Sequence, residues 1–343
     1  MLALIGLIAF SVTDSFAWLN GYEYRVRVPV DTSTAPTAYQ MKIKVLKGNG
    51  SNSPGRIHLN NNCQNWPNDM RFTNGSDGSV NFYREQWTES QWVDSVLIWV
   101  KIPAFSAEYF LYYGNPSAGD GSNGVGTFVF FESFDNLNNW TLNFGTAGAS
   151  ANVCSLTNDV ANNSWTNGLE LKDKSPNGDS RMIPNADRRI SVDMLVQNSS
   201  GNRYVGYSSK WKHIDSLLHT EMRNESSDII RGHARIGTFH TAHDAAFSQS
   251  YQTWYNVKTA LDADSVGIDV DDFNKLNFID ADWDRSWHKL NLHSYSTTGK
   301  FRKIWAAQYR KLEPQWNTPG AEEKLGGKPP WLFGLKTNIK SRD

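Results

Sequence analysis

Residues 69–116 hold two neighbouring segments whose side-chain pattern fits strands and has no helical period. Residues 96–102 (VLIWVKI) alternate β-branched with other residues and end at a proline. Residues 109–113 (YFLYY) follow after a short turn and end at the Gly-Asn-Pro of 114–116. β-branched and aromatic runs bounded by proline, glycine and asparagine are typical of β-strands. The stretch therefore predicts a hairpin and an all-β N-terminal half.

Short strand-like segments continue along the rest of the chain. The C-terminal half has eight of them, separated by turns: 169–171, 190–196, 204–207, 234–239, 254–261, 266–270, 289–293 and 303–309. Many short strands with turns between them favour a sandwich or a jelly roll. The 343 residues allow roughly two domains of about 150 residues each. We therefore predict an all-β protein with two β-sandwich (jelly-roll-like) domains in tandem.

Composition divides the chain into four parts. Residues 1–17 have a short apolar region and a small-x-small end, which predicts a secretory signal peptide, with an uncleaved anchor as the alternative. Residues 18–126 form the first predicted domain and end in a Gly/Ser-rich linker, and 127–318 form the second. Residues 319–343 are polar and interrupted by Gly-Gly and Pro-Pro, which predicts a flexible tail. The sequence thus predicts a secreted or extracellular-surface protein without membrane insertion after cleavage.

The N-terminal part resembles a known family. The motifs that carry the resemblance occur in the family's order: Arg71-Phe72, Glu85-Gln86-Trp87, Trp99-Val100-Lys101 and Tyr112-Tyr113-Gly114-Asn115. Over about residues 18–131 the chain resembles domain of unknown function 2341, found in secreted or surface-anchored bacterial and archaeal proteins. In that family a concanavalin A-like lectin or glucanase (laminin-G-like) sandwich often follows, so the resemblance implies one over 127–318. The family has no agreed activity, and the resemblance implies architecture more than chemistry.

Charge and aromatic content narrow the range of partners. The formal net charge is −1 and no basic stripe occurs, which argues against a nucleic-acid partner. The 14 Trp, 13 Tyr and 17 Phe suit both large β cores and sites where sugar rings stack on aromatic side chains. Asn-x-Ser/Thr sequences are compatible with an exposed glycoprotein.

Two groups of acidic residues suggest that the protein binds calcium, which is the cofactor that the sequence favours. Asp280, Asp282 and Asp284 alternate, but the glycine and glutamate of an EF-hand loop are missing, which excludes that motif. Glu132 and Asp135 form a second candidate near the first strand of the second domain. The alternative for the aspartates is a solvated hairpin edge that discourages edge pairing.

Cys63 and Cys154 are the only cysteines. Two cysteines in a secreted chain suggest one disulfide, which here would join the two predicted domains. Two free, buried thiols are the alternative.

Catalytic signatures are lacking in the sequence. Glycoside hydrolases need two suitably spaced carboxylates, and the Glu-x-Asp-x-x-Glu pattern of sandwich enzymes is absent. No Gly-x-Ser-x-Gly motif occurs either. We therefore predict a protein that is not an enzyme, with a diverged glycoside hydrolase as the less favoured alternative.

Residues 204–235 mix aromatic side chains, histidines and charged groups on strand-like runs. Sugars are held by aromatic faces and planar polar groups, so this segment predicts a glycan site if its strands form a concave sheet face. The candidate ligand-binding residues are Tyr207, Trp211, His213, His219, Glu221, Arg223 and Arg231. Ordinary sheet-face positions are the alternative. The predicted function is non-catalytic carbohydrate binding at a surface, with a self-associating structural subunit of a surface layer, fibre or appendage of a cell or virion as the alternative.

Overall fold

The computed structural model confirms the all-β prediction for the part of the chain that it describes. The described residues are 18–31, 38–76, 78–85, 94–102, 108–158, 168–172, 187–197, 203–213, 216–224, 227–236, 239–262, 265–279, 289–310 and 313–326. The predicted signal peptide lies outside them. Within these ranges, no helix is long and apolar enough to cross a membrane.

The chain divides into two compact units. Unit 1 comprises the described parts of Met1–Ser33, Lys42–Ser122 and Pro314–Asp343, and unit 2 those of Thr34–Met41 and Asn123–Glu313. Residues 38–41, predicted to belong to the first domain, thus group with unit 2. At the C-terminal end the division also differs from the sequence-based boundaries, because residues from 314 on group with the first unit. The reason is strand pairing: within the predicted flexible tail, β24 (Glu322–Lys324) pairs antiparallel with β1 (Tyr24–Pro29).

Unit 1 is built on two sheets. The five-stranded sheet has the order β24-β1-β8-β4-β5, with β8 at Glu108–Tyr113, β4 at Arg71–Asn74 and β5 at Ser79–Val80. The four-stranded sheet has the order β3-β2-β7-β6, with β3 at Arg56–His58, β2 at Tyr39–Leu46, β7 at Ser95–Ile102 and β6 at Phe82–Glu85. The predicted strands of residues 96–102 and 109–113 are thus present. They lie in different sheets instead of forming one hairpin, because β7 pairs with β6 while β8 pairs with β1 and β4.

In unit 1, Asp69 connects the segment before β4 to the turn after β8 through hydrogen bonds. Its buried Oδ2 accepts hydrogen bonds from the backbone N–H groups of Gln64 (2.8 Å), Gly114 (3.0 Å) and Asn115 (3.2 Å). Gly114 has φ +82°, a left-handed conformation that glycine adopts without strain, where the chain turns after β8. A buried carboxylate satisfied by several N–H donors is a strong local constraint.

Unit 2 is a sandwich of two larger antiparallel sheets. The seven-stranded sheet has the order β10-β13-β22-β15-β16-β17-β18. Its strands, in chain order, are β10 (Trp140–Leu142), β13 (Leu169–Leu171), β15 (Arg203–His213), β16 (Ser216–Asn224), β17 (Asp228–Ile236), β18 (Phe239–Ala246) and β22 (Lys289–Tyr295). The predicted run 234–239 is split between β17 and β18.

The eight-stranded sheet has the order β11-β12-β23-β14-β19-β20-β21, with β9 paired to β23. Its strands are β9 (Phe130–Glu132), β11 (Thr146–Ser150), β12 (Val153–Asn158), β14 (Arg188–Val196), β19 (Tyr255–Asp262), β20 (Ser265–Val270), β21 (Phe273–Ile279) and β23 (Thr297–Gln308). A short helix, α1 (Gly124–Thr127), precedes β9.

The core of unit 2 lies between these two sheets. Alternate residues of the seven-stranded sheet, such as Val205, Met222 and Leu292, pack with Val192 and Ile268 of the eight-stranded sheet. Because side chains alternate along a strand, every strand of the seven-stranded sheet also presents a second set of residues on the face away from this core. We call this the outer face.

Candidate functional site

The outer face of the seven-stranded sheet carries polar and charged side chains at its centre. On β16, Leu218 and Met222 point into the core. The period of two places His219, Glu221 and Arg223 on the opposite face. Three charged or titratable residues thus stand in a row along one strand.

Cross-strand register brings further polar residues beside them. Glu221 lies opposite Gly206 of β15 and Arg231 of β17, and Gly206 in turn lies opposite His293 of β22. In the next row, His219 lies opposite Ser208 of β15 and His233 of β17. Two rows of polar positions therefore run across four central strands.

Gly206 lets Glu221 and His293 approach each other across β15. A Cβ atom built on Gly206 would lie 2.7 Å from Nε2 of His293 and 2.7 Å from Cβ of Glu221. It would also lie 2.5 Å from the backbone oxygen of Thr220. Any side chain here would fill the space in which the imidazole and the carboxylate meet.

The resulting group, the Glu221 cluster, consists of Glu221, His219, His293, Arg223 and His233. Oε1 of Glu221 lies 3.1 Å from Nε of Arg223 and 3.7 Å from Nε2 of His219, and Oε2 lies 3.5 Å from Nε2 of His293. Nδ1 of His233 lies 3.0 Å from Nε2 of His219. All five side chains are buried or nearly so.

Burial sets the charge state of the cluster. It lowers the pKa of His219 well below 6.5, because the imidazolium would lose its hydration, and this outweighs the attraction of Glu221. Burial by itself would raise the pKa of Glu221, but the adjacent His219 and His293 outweigh it and hold that pKa below its ordinary value. The attraction between Glu221 and His219 thus opposes the fall of the histidine pKa and contributes to the fall of the carboxyl pKa.

Two atoms of Glu221 and two of His293 keep spare hydrogen-bonding capacity. Both carboxylate oxygens and both ring nitrogens are buried, and none makes an aligned hydrogen bond with the described residues. The contacts around them are ion-pair distances without hydrogen-bond geometry. Buried polar atoms in folded proteins are nearly always satisfied by protein, water or ligand, so these four atoms are candidates for bonds to water or a ligand.

The edges of the cluster reach solvent and include an aromatic face. Arg231 pairs with Asp244 of β18 through two hydrogen bonds, of 2.6 and 2.7 Å, and these side chains are 21% and 40% exposed. On the other side, the guanidinium of Arg223 lies 3.8 Å from the ring centroid of Tyr204. Tyr204 stacks on Tyr295 with a centroid distance of 5.0 Å.

The structure brings together four of the seven residues predicted to bind a ligand: His219, Glu221, Arg223 and Arg231. Tyr207 is a correction, since it points the other way into the core, where its hydroxyl hydrogen-bonds Thr259 Oγ1 at 2.7 Å. Trp211 and His213 belong to β15, but their side chains lie outside the described part of the structure.

Sequence reasoning missed His233, His293 and Asp244 as members of this face. His233 shares the alternation of β17 with Arg231, and that signal was available in the sequence. His293 enters only because β22 pairs with β15, which no local pattern reveals.

Of the two calcium candidates, the structure describes Glu132 and Asp135. The oxygens of Glu132 accept hydrogen bonds from the Phe134 N–H (2.8 Å), Asn139 Nδ2 (2.9 Å) and Trp140 Nε1 (3.0 Å). Asp135 is exposed and accepts from Ser133 Oγ at 2.9 Å, while Glu132 organises its loop through N–H donors; calcium at this pair stays a prediction. Asp280, Asp282 and Asp284 lie outside the described residues.

Over the described ranges, no group of three or more His, Cys, Asp or Glu side chains is arranged to hold a metal ion. The Glu221 cluster fits this finding, because Nε2 of His219 is already engaged with Nδ1 of His233.

The disulfide interpretation is wrong for this structure, and the alternative with two free, buried thiols describes it. Burial raises the pKa of Cys154 to about 12, with the nearby Glu132 charge acting in the same direction. Burial and a hydrogen bond to Asp69 likewise raise the pKa of Cys63 far above its ordinary value.

Comparison with known proteins supports part of the family resemblance. Residues 66–143 match the family described as domain of unknown function (DUF2341). No curated protein matches the chain in sequence. The tandem concanavalin A-like domain stays a prediction.

Several solved structures share part of the fold at low identity. A carbohydrate-binding module, CBM66 from Bacillus subtilis, is 13% identical with a TM-score of 0.40, and the match covers 50% of this chain and 96% of that one. The GH43 protein BlXynB from Bacillus licheniformis is 10% identical with a TM-score of 0.41, covering 67% and 46%. The galectin LEC-6 from Caenorhabditis elegans is 12% identical with a TM-score of 0.30, covering 36% and 84%. At these scores neither ligand nor activity carries over to this chain.

Proposed function

We propose that this protein is a non-catalytic carbohydrate-binding protein that holds its glycan on the outer face of the seven-stranded sheet. The observation that carries the proposal is the side-by-side burial of Glu221 and His293 with unused hydrogen-bonding capacity, on the face that does not pack against the core. Sugar hydroxyls both donate and accept hydrogen bonds. Because both side chains have no exposed surface, the groups that cover them must move aside on binding; one hydroxyl then donates to the carboxylate of Glu221 while another pairs with the imidazole of His293.

The solvent-reaching edge supplies the first contacts in this proposal. Arg231 and Asp244 are the more exposed charged groups and offer a donor fork and an acceptor to neighbouring hydroxyls. Tyr295, which is half-buried and stacks on the buried Tyr204, provides aromatic surface at the other edge. His219 and His233 act as positioning residues, since their ring nitrogens are engaged with each other.

The electrostatics favour binding over hydrolysis. A glycosidase needs a second carboxyl group and an acid whose pKa is raised. The pKa of Glu221 is lowered instead. The carboxylate of Asp244 lies two strands away and accepts two hydrogen bonds from Arg231.

The proposal keeps the location that the N-terminal segment predicts, which is secreted and exposed at a surface. In this proposal glycan binding does not require calcium, because the carboxylate of Glu132 accepts its hydrogen bonds from N–H donors.

A glycan array probed with the full chain, with calcium and again with a chelator, tests the proposal. Any hit is then titrated by calorimetry against Arg231→Ala and Glu221→Gln, with Arg27→Ala as the matched surface control. Arg27 also sits in an exposed ion pair, with Glu108, but in unit 1. Loss of a charge-assisted hydrogen bond predicts roughly tenfold weaker binding for each of the first two variants.

Saturable binding that both variants weaken and the control leaves intact supports the proposed site. Equal affinity for all four proteins contradicts the site, and turnover of a polysaccharide that Glu221→Gln abolishes contradicts the non-catalytic assignment. Binding that the chelator abolishes would make Asp280, Asp282 and Asp284 the next residues to substitute.

One observation favours a structural subunit as a second candidate. β21 ends the strand order of the eight-stranded sheet and exposes Phe273 and Ile279, which are 70% and 75% accessible. An exposed apolar edge strand is a template for pairing with another chain. Light scattering over a range of concentrations tests this, and replacing both residues with lysine is expected to abolish any self-association.

A further inference from the structure

A second candidate site lies on the eight-stranded sheet, on the face of that sheet that points away from the core. It is separate from the Glu221 cluster. It is a cavity of about 540 Å³ lined by Gly148, Ser155, Lys300, Leu195 and Trp254, together with their neighbours on β11 and β12. Nothing in the proposed function uses it.

Strand register builds this cavity as a continuous groove. Gly148 of β11 lies opposite Ser155 of β12, Ser155 opposite Lys300 of β23, and Lys300 opposite Leu195 of β14. The row thus crosses four strands, or roughly 14 Å at a spacing of about 4.8 Å. A Cβ atom built on Gly148 would meet nothing within 4 Å, so the missing side chain leaves this end open.

The other end of the groove is formed by Trp254, which is half-buried. The guanidinium of Arg302 lies 4.2 Å from its ring centroid, and Nε of Arg302 lies 3.1 Å from Oδ2 of Asp193. This stack fixes the indole against the sheet. A fixed indole at the end of a shallow groove is the arrangement on which the apolar face of a sugar ring can pack.

Lys300 gives the groove its charge. No carboxylate is among the described residues that line it, and none of the described acidic side chains pairs with this ammonium. Arg302 forms an ion pair with Asp193. Among the described residues that line the groove, Lys300 is therefore the cation that can face a ligand. A ligand that complements the groove therefore combines a sugar-like ring with a negative charge.

We propose that this groove is a second glycan site, which takes a sugar ring bearing an anionic group. The ring packs on Trp254, the anionic group pairs with Lys300, and Ser155 supplies a hydroxyl between them. Carboxylate and sulfate share this chemistry, and the experiment separates them. The site is independent of the Glu221 cluster.

Calorimetry with two matched pairs of probes tests the groove. One pair is tetragalacturonate and its fully methyl-esterified, neutral form; the other is a sulfated carrageenan tetrasaccharide and its desulfated form. All titrations use the full chain and are repeated in the Arg231→Ala background, in which any contribution of the Glu221 face is expected to be about tenfold weaker. At least one anionic probe is expected to bind about tenfold more tightly than its neutral partner, and less tightly at high salt.

Three variants locate the binding. Lys300→Gln is expected to remove the roughly tenfold preference for the anionic probe while leaving the neutral one unaffected. Trp254→Ala is expected to weaken both members of a pair. Gly148→Met fills the open end without removing a contact and is expected to weaken both as well; Gly48→Met, at a glycine of unit 1 that also has open space, is the matched control.

A preference for either anionic probe that Lys300→Gln removes, together with weaker binding of both probes in Gly148→Met but not in Gly48→Met, supports the proposal and identifies carboxylate or sulfate as the group. Equal binding of charged and neutral probes overturns it. So does an anionic preference that survives Lys300→Gln, or an affinity for both probes that Gly148→Met leaves unchanged, whatever happens at the Glu221 face.

Discussion

Nε2 of His293 lies 3.5 Å from Oε2 of Glu221, although the strand that carries Gly206 runs between them. This contact exists because Gly206 has no side chain. It places an imidazole and a carboxylate together on the face of the seven-stranded sheet that does not build the core, and the proposed glycan site depends on it.

Replacing Gly206 by alanine is expected to destabilise the protein by about 1–3 kcal/mol and to abolish glycan binding. The added methyl group would meet the backbone oxygen of Thr220 at 2.5 Å, and backbone cannot move aside cheaply. Denaturant unfolding measures the loss. Gly148→Ala is the control, since its methyl group meets open space and is expected to change stability by less than about 0.5 kcal/mol.

Acidification is expected to destabilise unit 2 through His219. Its pKa is lowered on folding, so the unfolded chain binds more protons below the unfolded pKa of about 6.5, and stability falls as pH falls through that range. Unfolding free energies at about pH 7.5 and about pH 5.5 measure this. His219→Gln is expected to flatten the dependence and His58→Gln, in unit 1, to leave it unchanged; an unaltered slope in His219→Gln would contradict the assignment.

Asp69→Ala is expected to cost unit 1 roughly 3 kcal/mol or more, because three backbone N–H groups and the Cys63 thiol lose their acceptor. Asp69→Asn keeps one acceptor oxygen and is expected to cost less. Thermal unfolding compares them with Glu23→Gln, an exposed carboxylate of the same unit. Equal stability of Asp69→Ala and Glu23→Gln would rule out the organising role.

Tyr207→Phe is expected to reduce stability by about 1 kcal/mol and to leave glycan affinity unchanged. The hydroxyl is buried between the sheets and bonded to Thr259, on the side opposite the proposed site. Denaturant unfolding and calorimetry on the same samples measure both quantities. If Tyr207→Phe weakened glycan binding without lowering stability, the hydroxyl of Tyr207 would be part of the ligand site and the core assignment would be wrong.

Both cysteines are expected to resist alkylation in the folded protein and to react after unfolding. Burial raises the pKa of Cys154 to about 12, and thiolate is the reactive form. Mass spectrometry after iodoacetamide treatment, with and without denaturant, gives the answer. Rapid labelling of the native protein, or a mass showing a disulfide, would contradict the structure.

Much of this architecture follows from local patterns. The alternation of β-branched and aromatic residues in 96–102 and 109–113 predicted strands that the structure contains. His219, Glu221 and Arg223 were predicted only as ligand candidates, without a strand at 216–224; the side-chain period of two in β16 puts them on one face. Both results depend only on residues close together in the chain.

Pairing between distant strands was decided by the tertiary structure. The pattern of β15 could not say which face was inner, since both of its faces carry tyrosine, and Tyr207 was therefore assigned to the wrong side. The pairing of β22 with β15 brought His293 to Glu221, and the pairing of β24 with β1 turned part of an expected tail into a strand. Sequence determines the faces of each strand, but the backbone hydrogen bonds that join strands are the same for any residue. Which strands pair with each other is therefore decided by the packing of the whole sheet.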